Sequence, residues 1–227
     1  MISIVIPAYN EQDRIGPTLT ELDRALQRQK HEIIIVADGQ DDTPAVVRRM
    51  KIKSVRILPF RNRMGKGGAL KAGIKAAKGA TIVIYDADGA MAATELPKLL
   101  AALAQDDIAI GTRYSRQSRA DLSATRRLTA WLFNRWIRLL FGLPYSDTQC
   151  GYKAFRAPAA KKIAQKTEQT GFVWDVEMLY LAKKADLRIV EVPIRWREKD
   201  GGDLARNTIK SVVKIFTDSV TLRLHYR

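Results

Sequence analysis

Two carboxylates, Asp86 and Asp88, stand one residue apart in Tyr85-Asp86-Ala87-Asp88-Gly89, where the apolar run from Ala80 to Tyr85 ends. The segment Thr81-Ile82-Val83-Ile84-Tyr85 reads as a strand buried on both faces. Its acids then fall at the carboxyl end of a strand, where open α/β sheets bind their ligands. Residues two apart in an extended chain point the same way, so both carboxylates address one place. Paired acids there match a hard divalent cation, Mg²⁺ or Mn²⁺, which takes oxygen ligands and shares them with substrate phosphates. The chemistry indicated is a metal-bound diphosphate. Asp38, in Val36-Ala37-Asp38-Gly39, ends a second apolar run. By itself an Asp before Gly is a turn residue, but here it adds a third carboxylate to the same rim. The opening Ile4-Val5-Ile6-Pro7-Ala8-Tyr9-Asn10-Glu11 ends another strand with Pro, which donates no ladder hydrogen bond, and then offers polar groups at the sheet's edge.

The elements that must position these residues alternate. Strand patterns at Ile2–Ile6, Glu32–Val36, Ser54–Leu58, Thr81–Tyr85 and Asp107–Gly111 are separated by helix patterns at about Glu11–Gln29, Thr43–Met50, Lys66–Ala77 and Glu95–Gln105. Such alternation predicts an α/β fold with a mainly parallel sheet flanked by helices. The loop at Gly65–Gly68 precedes a helix, so its backbone amides and Lys66 are candidates to meet phosphate or sugar hydroxyls. No repeat and no Pro/Gly/Ser linker divides the chain, and one domain over residues 1–227 is expected.

With 227 residues, 46% of them hydrophobic, the chain can bury a large core, which excludes disorder. No stretch approaches the ~20 uninterrupted apolar residues of a membrane span. The N-terminus enters a strand at once, without the regions of a signal peptide, so the expected location is cytoplasmic. Cys150 is the only cysteine, which excludes an internal disulfide and a cysteine-based zinc cluster and leaves a small buried apolar residue as its expected role.

The net charge is +15, and the basic excess lies in the second half: residues 111–227 hold 23 basic and 11 acidic side chains, against 16 and 13 before them. An anionic partner follows, lipid headgroup, lipid phosphate or nucleic acid. Neither an RNA-stacking strand motif nor a recognition-helix motif is present, and no nucleic acid is expected. Between Thr125 and Phe141, Leu128, Trp131, Leu132, Trp136, Leu139 and Leu140 recur at helical spacing, flanked by Arg126, Arg127, Arg135 and Arg138. A Trp-bearing apolar face edged with arginine fits a helix lying in a membrane interface. The same face would also suit packing on the core with the arginines snorkelling outward. Residues 207–227 repeat the theme, and two such helices would form one docking surface on a membrane.

Taken in order, these segments resemble the family-2 inverting glycosyltransferases of GT-A fold. More narrowly they resemble enzymes that load a sugar from a nucleotide donor onto dolichyl or polyprenyl phosphate. Beyond the opening block, the resemblance rests on Arg61-Asn62-Arg63-Met64-Gly65-Lys66-Gly67-Gly68, Asp86-Ala87-Asp88-Gly89-Ala90 and Gly111-Thr112-Arg113-Tyr114. It continues through Asp147-Thr148-Gln149-Cys150-Gly151-Tyr152-Lys153, Trp174-Asp175-Val176-Glu177 and Val192-Pro193-Ile194-Arg195-Trp196. The blocks at 86–90 and 147–153 look closer to dolichyl-phosphate glucosyltransferases and their archaeal relatives than to the mannosyl branch. Three positions depart from the family pattern: Ala37 precedes Asp38 where an acid is usual, Ala90 replaces a Gln, and Asp203 replaces a Lys.

The resemblance implies a nucleotide pocket lined by Pro7, Ala8, Tyr9 and Glu11, with Asp38 bonded to the base and Lys66, Gly67, Asp86, Ala87 and Asp88 around the ribose and diphosphate. The metal would sit on Asp88 and Asp86. Acidic positions at Asp147, Asp175 and Glu177 would orient the sugar or take a proton. The acceptor, a phosphate monoester already ionised near neutral pH, needs positive charge more than a strong base. Arg113, Arg126 and Arg127 are the candidate clamps, since a guanidinium grips phosphate through parallel bonds; Arg197, Lys199 or Arg206 would serve where Asp203 departs. The expected donor is UDP-glucose or UDP-N-acetylglucosamine, at the cytoplasmic face of the membrane. The alternatives are a GDP-mannose-dependent dolichyl-phosphate mannose synthase and a soluble transferase acting on a saccharide or protein.

Overall fold

In a computed structural model, residues 1–121, 123–197 and 208–226 are described, with 124–126 and 208–212 given as helix without side-chain detail. Seven strands form one sheet in the order β3-β2-β1-β4-β7-β5-β8. They are β1 (Ile2–Ala8), β2 (His31–Ala37), β3 (Val55–Pro59), β4 (Thr81–Ile84), β5 (Ile108–Thr112), β7 (Lys153–Arg156) and β8 (Ile189–Pro193). All pairings are parallel except those of β7, which runs antiparallel between β4 and β5. A parallel sheet must be covered on both faces, and the sequence provides for it. Val5, Ile34, Val36, Ile82, Ile84, Ile108 and Ile110 meet one helical layer. Their neighbours Ile4, Ile6, Ile33, Ile35, Val83 and Ala109 meet the other.

The helices are α1 (Ile15–Leu26), α2 (Thr43–Arg49), α3 (Gly65–Ala76), α4 (Leu96–Ala102), α5 (Ala124–Phe141), α6 (Ala157–Lys166), α7 (Trp174–Lys184) and α8 (Thr208–His225). A small parallel pair, β6 (Arg119–Asp121) with β9 (Arg195–Arg197), lies apart from the main sheet. From β1 the chain winds outward through β2 and β3, then returns to β4 on the other side of β1. The strand order reverses there, and this crevice between β1 and β4 is where such sheets bind ligands. The chain leaving β1 carries Tyr9 and Glu11; the chain leaving β4 carries Asp86 and Asp88.

Helix α5 is amphipathic, but its buried stripe is Phe133, Ile137 and Phe141, one helical turn apart. Of the apolar residues at helical spacing in the sequence, Trp136 and Leu140 are half-buried against the core, while Leu128, Trp131, Leu132 and Leu139 are exposed. Helix α8 packs on α5 through Phe216, edge-on to Phe133 at 5.3 Å, and through Ser219 Oγ, which accepts a 3.0 Å bond from Trp136 Nε1. It too leaves apolar side chains outside: Val213, Val220 and Leu224. Among the described residues no helix is long and apolar enough to cross a membrane.

Candidate active site

Beyond β4, Tyr85 and Ala87 are buried while Asp86 and Asp88 are partly exposed; the chain turns at Ala87-Asp88, with Gly89 at a φ of 62°. Asp86 owes its place to the missing side chain at Gly151. A Cβ there would lie 1.9 Å from Asp86 Oδ2, so only glycine lets the 147–153 segment pass behind this carboxylate. Asp88 Oδ1 accepts the Ala90 amide at 2.9 Å. From β1, Glu11 joins them: Arg14 NH2 reaches its Oε1 at 2.6 Å, and its buried Oε2 has no hydrogen-bond partner. Burial raises the Glu11 carboxyl to about 7 against the opposing pull of Arg14, with Asp88 and Asp86 adding repulsion.

The carboxylate after β2, Asp38, is buried and serves the loop before α3. Its Oδ2 accepts the Met64 and Gly65 amides at 2.7 and 3.1 Å, fixing the start of α3. The Gly67 amide donates to Thr170 O at 2.8 Å, and a Cβ on Gly67 would lie 2.5 Å from Gln169 O. Of the Gly65–Gly68 amides expected from sequence to meet phosphate or sugar hydroxyls, those of Gly65 and Gly67 are therefore spent within the protein, and the loop presents the Lys66 side chain. Lys66 Nζ donates to Asp175 Oδ2 at 3.1 Å and stands 3.8 Å from Asp86 Oδ1. Burial would weaken its proton affinity, but Asp175 and Asp86 outweigh that and hold it firmly as a cation. Tyr9 completes this wall with the Arg63 guanidinium 3.9 Å over its ring, while Pro7 and Ala8 end β1.

The three acids carried by the sequence as catalytic candidates separate. Asp175, buried at the start of α7, is clamped by Lys66 and by Lys153 Nζ at 2.7 Å. Burial alone would raise its carboxyl, yet the two lysines hold it below the usual range, a poor proton acceptor. Asp147 takes a two-pronged grip from Arg113, Nε at 2.7 Å and NH2 at 2.8 Å, plus the Arg113 amide. Arg113 is thus paired with Asp147 while still lining the neighbouring cavity. Glu177 turns away from the crevice. Its oxygens accept the Glu168 and Gln169 amides, both at 2.9 Å, and the Tyr226 hydroxyl at 2.8 Å, so it holds the loop that packs on Gly67.

Beside Arg113 a cavity of about 450 Å³ is lined by Arg127, Arg135, Arg138, Tyr114, Ser115, Asn134 and Ser146, with Trp131 at its edge. Arg135 and Arg138 here were flanking residues in the sequence and not site candidates. Folding brings them in because they lie two and three turns along α5 from Arg127. The Arg126 side chain, Lys199 and Arg206 lie outside the described residues. Arg197 is exposed, its amide bonded to Ala90 O at 2.9 Å, beside the Asp-Ala-Asp-Gly segment and not in the cavity. Cys150 is buried and free, its thiol pushed up to about 12 by burial.

Lys153 of β7 lies opposite both Ile84 of β4 and Ile110 of β5, so the carboxyl ends of β4 and β5, which lead to Asp86 and Arg113, fall on the same edge of the sheet. The residues fit a hard cation: two carboxylates reach the crevice and Glu11 Oε2 lies unpartnered nearby. Among the described residues no three-ligand cage exists, so such a cation would complete its shell with diphosphate and water.

The architecture is the GT-A glycosyltransferase fold. Glucosyl-3-phosphoglycerate synthase from Mycobacterium tuberculosis, solved with phosphoglyceric acid, superposes with a TM-score of 0.75 at 17% identity, covering 98% of this chain and 79% of that one. The same enzyme with Mn²⁺, UDP and glucosyl-3-phosphoglycerate gives 0.75. The "Glycosyl transferase family 2" profile matches residues 3–164, and the chain belongs to that family: it is a glycosyltransferase. Within the family it is similar to proteins named dolichyl-phosphate beta-glucosyltransferase. The one from Drosophila melanogaster is 33% identical over 226 residues, 89% of this chain and 69% of that one. The one from Saccharomyces cerevisiae is 32% identical over 252 residues, covering 99% and 75%. Glycosyltransferase AglD of Haloferax volcanii is 32% identical over 221 residues, but this chain, 93% covered, spans only 35% of AglD.

Proposed function

We propose that the chain transfers a hexose, glucose in the leading reading, from a UDP-sugar to the phosphate of dolichol or a related polyprenol, working as a peripheral enzyme on the cytoplasmic face of a membrane. The observation that carries the reading is the arginine-lined cavity on α5, with Trp131 exposed at its edge and Leu128 and Leu132 exposed beside it on the same helix. A phosphate entering that cavity would have its lipid tail beside an apolar surface. The names of the relatives support the acceptor and favour glucose over N-acetylglucosamine.

On this reading the donor diphosphate occupies the crevice between β1 and β4, with Tyr9 and Glu11 on one side and Asp86, Asp88 and Lys66 on the other. Bound Mg²⁺ or Mn²⁺ would be held by Asp88 and Asp86 and would neutralise charge on the departing diphosphate. A phosphate oxygen of the acceptor attacks the anomeric carbon as its bond to the diphosphate breaks, so an α-linked donor gives a β-linked product. Phosphate monoesters have a second pKa near 6 and are largely dianionic at neutral pH, so no strong base is required. Asp147 and Asp175, both engaged by cations, suit positioning: Asp147 aims Arg113 at the acceptor, and Asp175 aims Lys66 at the donor. Glu177 holds the loop between them and α8.

The test is to supply dolichyl or undecaprenyl phosphate with UDP-glucose, UDP-N-acetylglucosamine or GDP-mannose separately and to follow label into the lipid phase. Lipid-linked product from UDP-glucose is expected. Product from GDP-mannose alone would make the chain a mannosyl enzyme. Transfer only to water-soluble acceptors would overturn the lipid reading.

A further inference from the structure

A lysine in the middle of a seven-stranded sheet demands a reason. Lys153 lies on β7 between Ile84 of β4 and Ile110 of β5, and its side chain is 0% exposed. Withdrawing an ammonium from water costs several kcal/mol after relaxation, so such a group persists only when closely paired. Its ammonium donates to Cys150 O and, at 2.7 Å, to Asp175 Oδ1. The other oxygen of Asp175 accepts Lys66 Nζ at 3.1 Å, and Lys66 Nζ stands 3.8 Å from Asp86 Oδ1.

We infer that Lys153 is a positioning residue for the donor site, acting through Asp175 on Lys66; the inference rests on the reading of the crevice as a nucleotide-sugar site. Two lysines against one aspartate leave one net positive charge in this triad. Lys66 is the member that presents it, with 16% of its side chain exposed against 0% for Lys153 and 2% for Asp175. Lys153 satisfies one oxygen of Asp175, so the carboxylate does not draw Lys66 inward to neutralise itself alone. Without Lys153, Asp175 and Lys66 form a neutral buried pair. The incoming diphosphate then faces Asp86, Asp88 and Glu11 with the nearest cation already spent.

The geometry is local to the donor side, so the effect should be too. In Lys153→Gln the amide keeps a hydrogen bond to Asp175 and removes the charge. Calorimetry with UDP-glucose and Mn²⁺ should show the donor Kd of this variant raised about tenfold, with the acceptor KM within twofold of wild type. Adding Asp175→Asn removes the carboxylate that neutralises Lys66 and leaves Lys66 as a lone cation; donor Kd should return to within threefold of wild type. A folded K153Q protein with unchanged donor Kd, or with equal losses for donor and acceptor, overturns the inference. So does a folded double variant that remains tenfold weaker than wild type, a comparison that holds even where K153Q alone fails to fold. In each of these cases wild type binds the donor and the reading of the crevice stands. Wild type that binds no nucleotide-sugar overturns both.

Discussion

Glu11 is a crevice residue whose carboxyl departs clearly from a free side chain. Its carboxyl, ordinarily near 4.5, is raised to about 7 by burial against the pull of Arg14, with Asp88 and Asp86 repelling its charge. A carboxyl raised in the folded state binds its proton more tightly there than in the unfolded chain. Its contribution to stability is therefore fully present below about 4.5 and is lost as pH rises through about 7. Its side chain is 14% exposed, so little of the effect is screened, and a shift of this size amounts to about 3 kcal/mol. Glu11→Gln removes the titration. Urea denaturation of metal-free protein should show the variant gaining on wild type between pH 5 and 8, by up to about 3 kcal/mol, and then levelling off. A difference that stays constant over this range would mean that Glu11 is solvated and ordinary.

At the scale of elements, Glu177 shows how a site-like motif becomes a structural joint. Lying on the first turn of α7, it fixes the amides of residues 168 and 169 and takes the hydroxyl of Tyr226, just beyond α8. Glu177→Ala leaves two amides and a hydroxyl without their acceptor, and the expected loss is about 3 kcal/mol of stability. The loss should appear in thermal and urea melts, with kcat of the folded fraction down less than tenfold. Unchanged melts with turnover abolished would return Glu177 to the chemistry. The strands β1 to β5 were legible because each is an apolar run bounded by turn residues, and the acids at their ends identify the crevice. By contrast, β7 was not legible: Lys153-Ala154-Phe155-Arg156 is four residues long and puts a charge where a central strand should be apolar. The missing information is Asp175, 22 residues away, which makes that charge tolerable. The same holds for Arg113 with Asp147 and for Asp38 with the loop before α3, pairings across 34 and 26 residues that spacing cannot reveal. On α5 the amphipathic period was evident, but which arc is buried depended on Phe133, Ile137 and Phe141 meeting a core that only the fold assembles.

At the scale of the whole molecule, the proposed membrane reading rests on the distribution of charge and apolar surface. The net charge of +15 resides mainly after residue 110. There α5 presents Leu128, Trp131, Leu132 and Leu139 to solvent, half or more of each exposed, next to Arg127, Arg135 and Arg138. Paired with it, α8 adds Val213, Val220 and Leu224. Burying a large apolar side chain yields roughly 1.5–3 kcal/mol, so three of them inserted partway supply about 3 kcal/mol, and arginines add attraction to anionic headgroups that salt screens. Replacing Leu128, Trp131 and Leu132 together with Gln removes the apolar part. Because all three are exposed, the fold should lose less than about 1 kcal/mol. Cosedimentation with vesicles of mixed neutral and anionic lipid should show binding weakened about a hundredfold, which is about 3 kcal/mol. Wild type should remain partly bound in 0.5 M salt, whereas the triple variant should be released. Donor affinity, read by calorimetry, should not move, because the crevice between β1 and β4 belongs to other elements. Vesicle binding that is unaffected by the three replacements, or absent in wild type, would remove the exposed face of α5 as support for the proposed membrane reading.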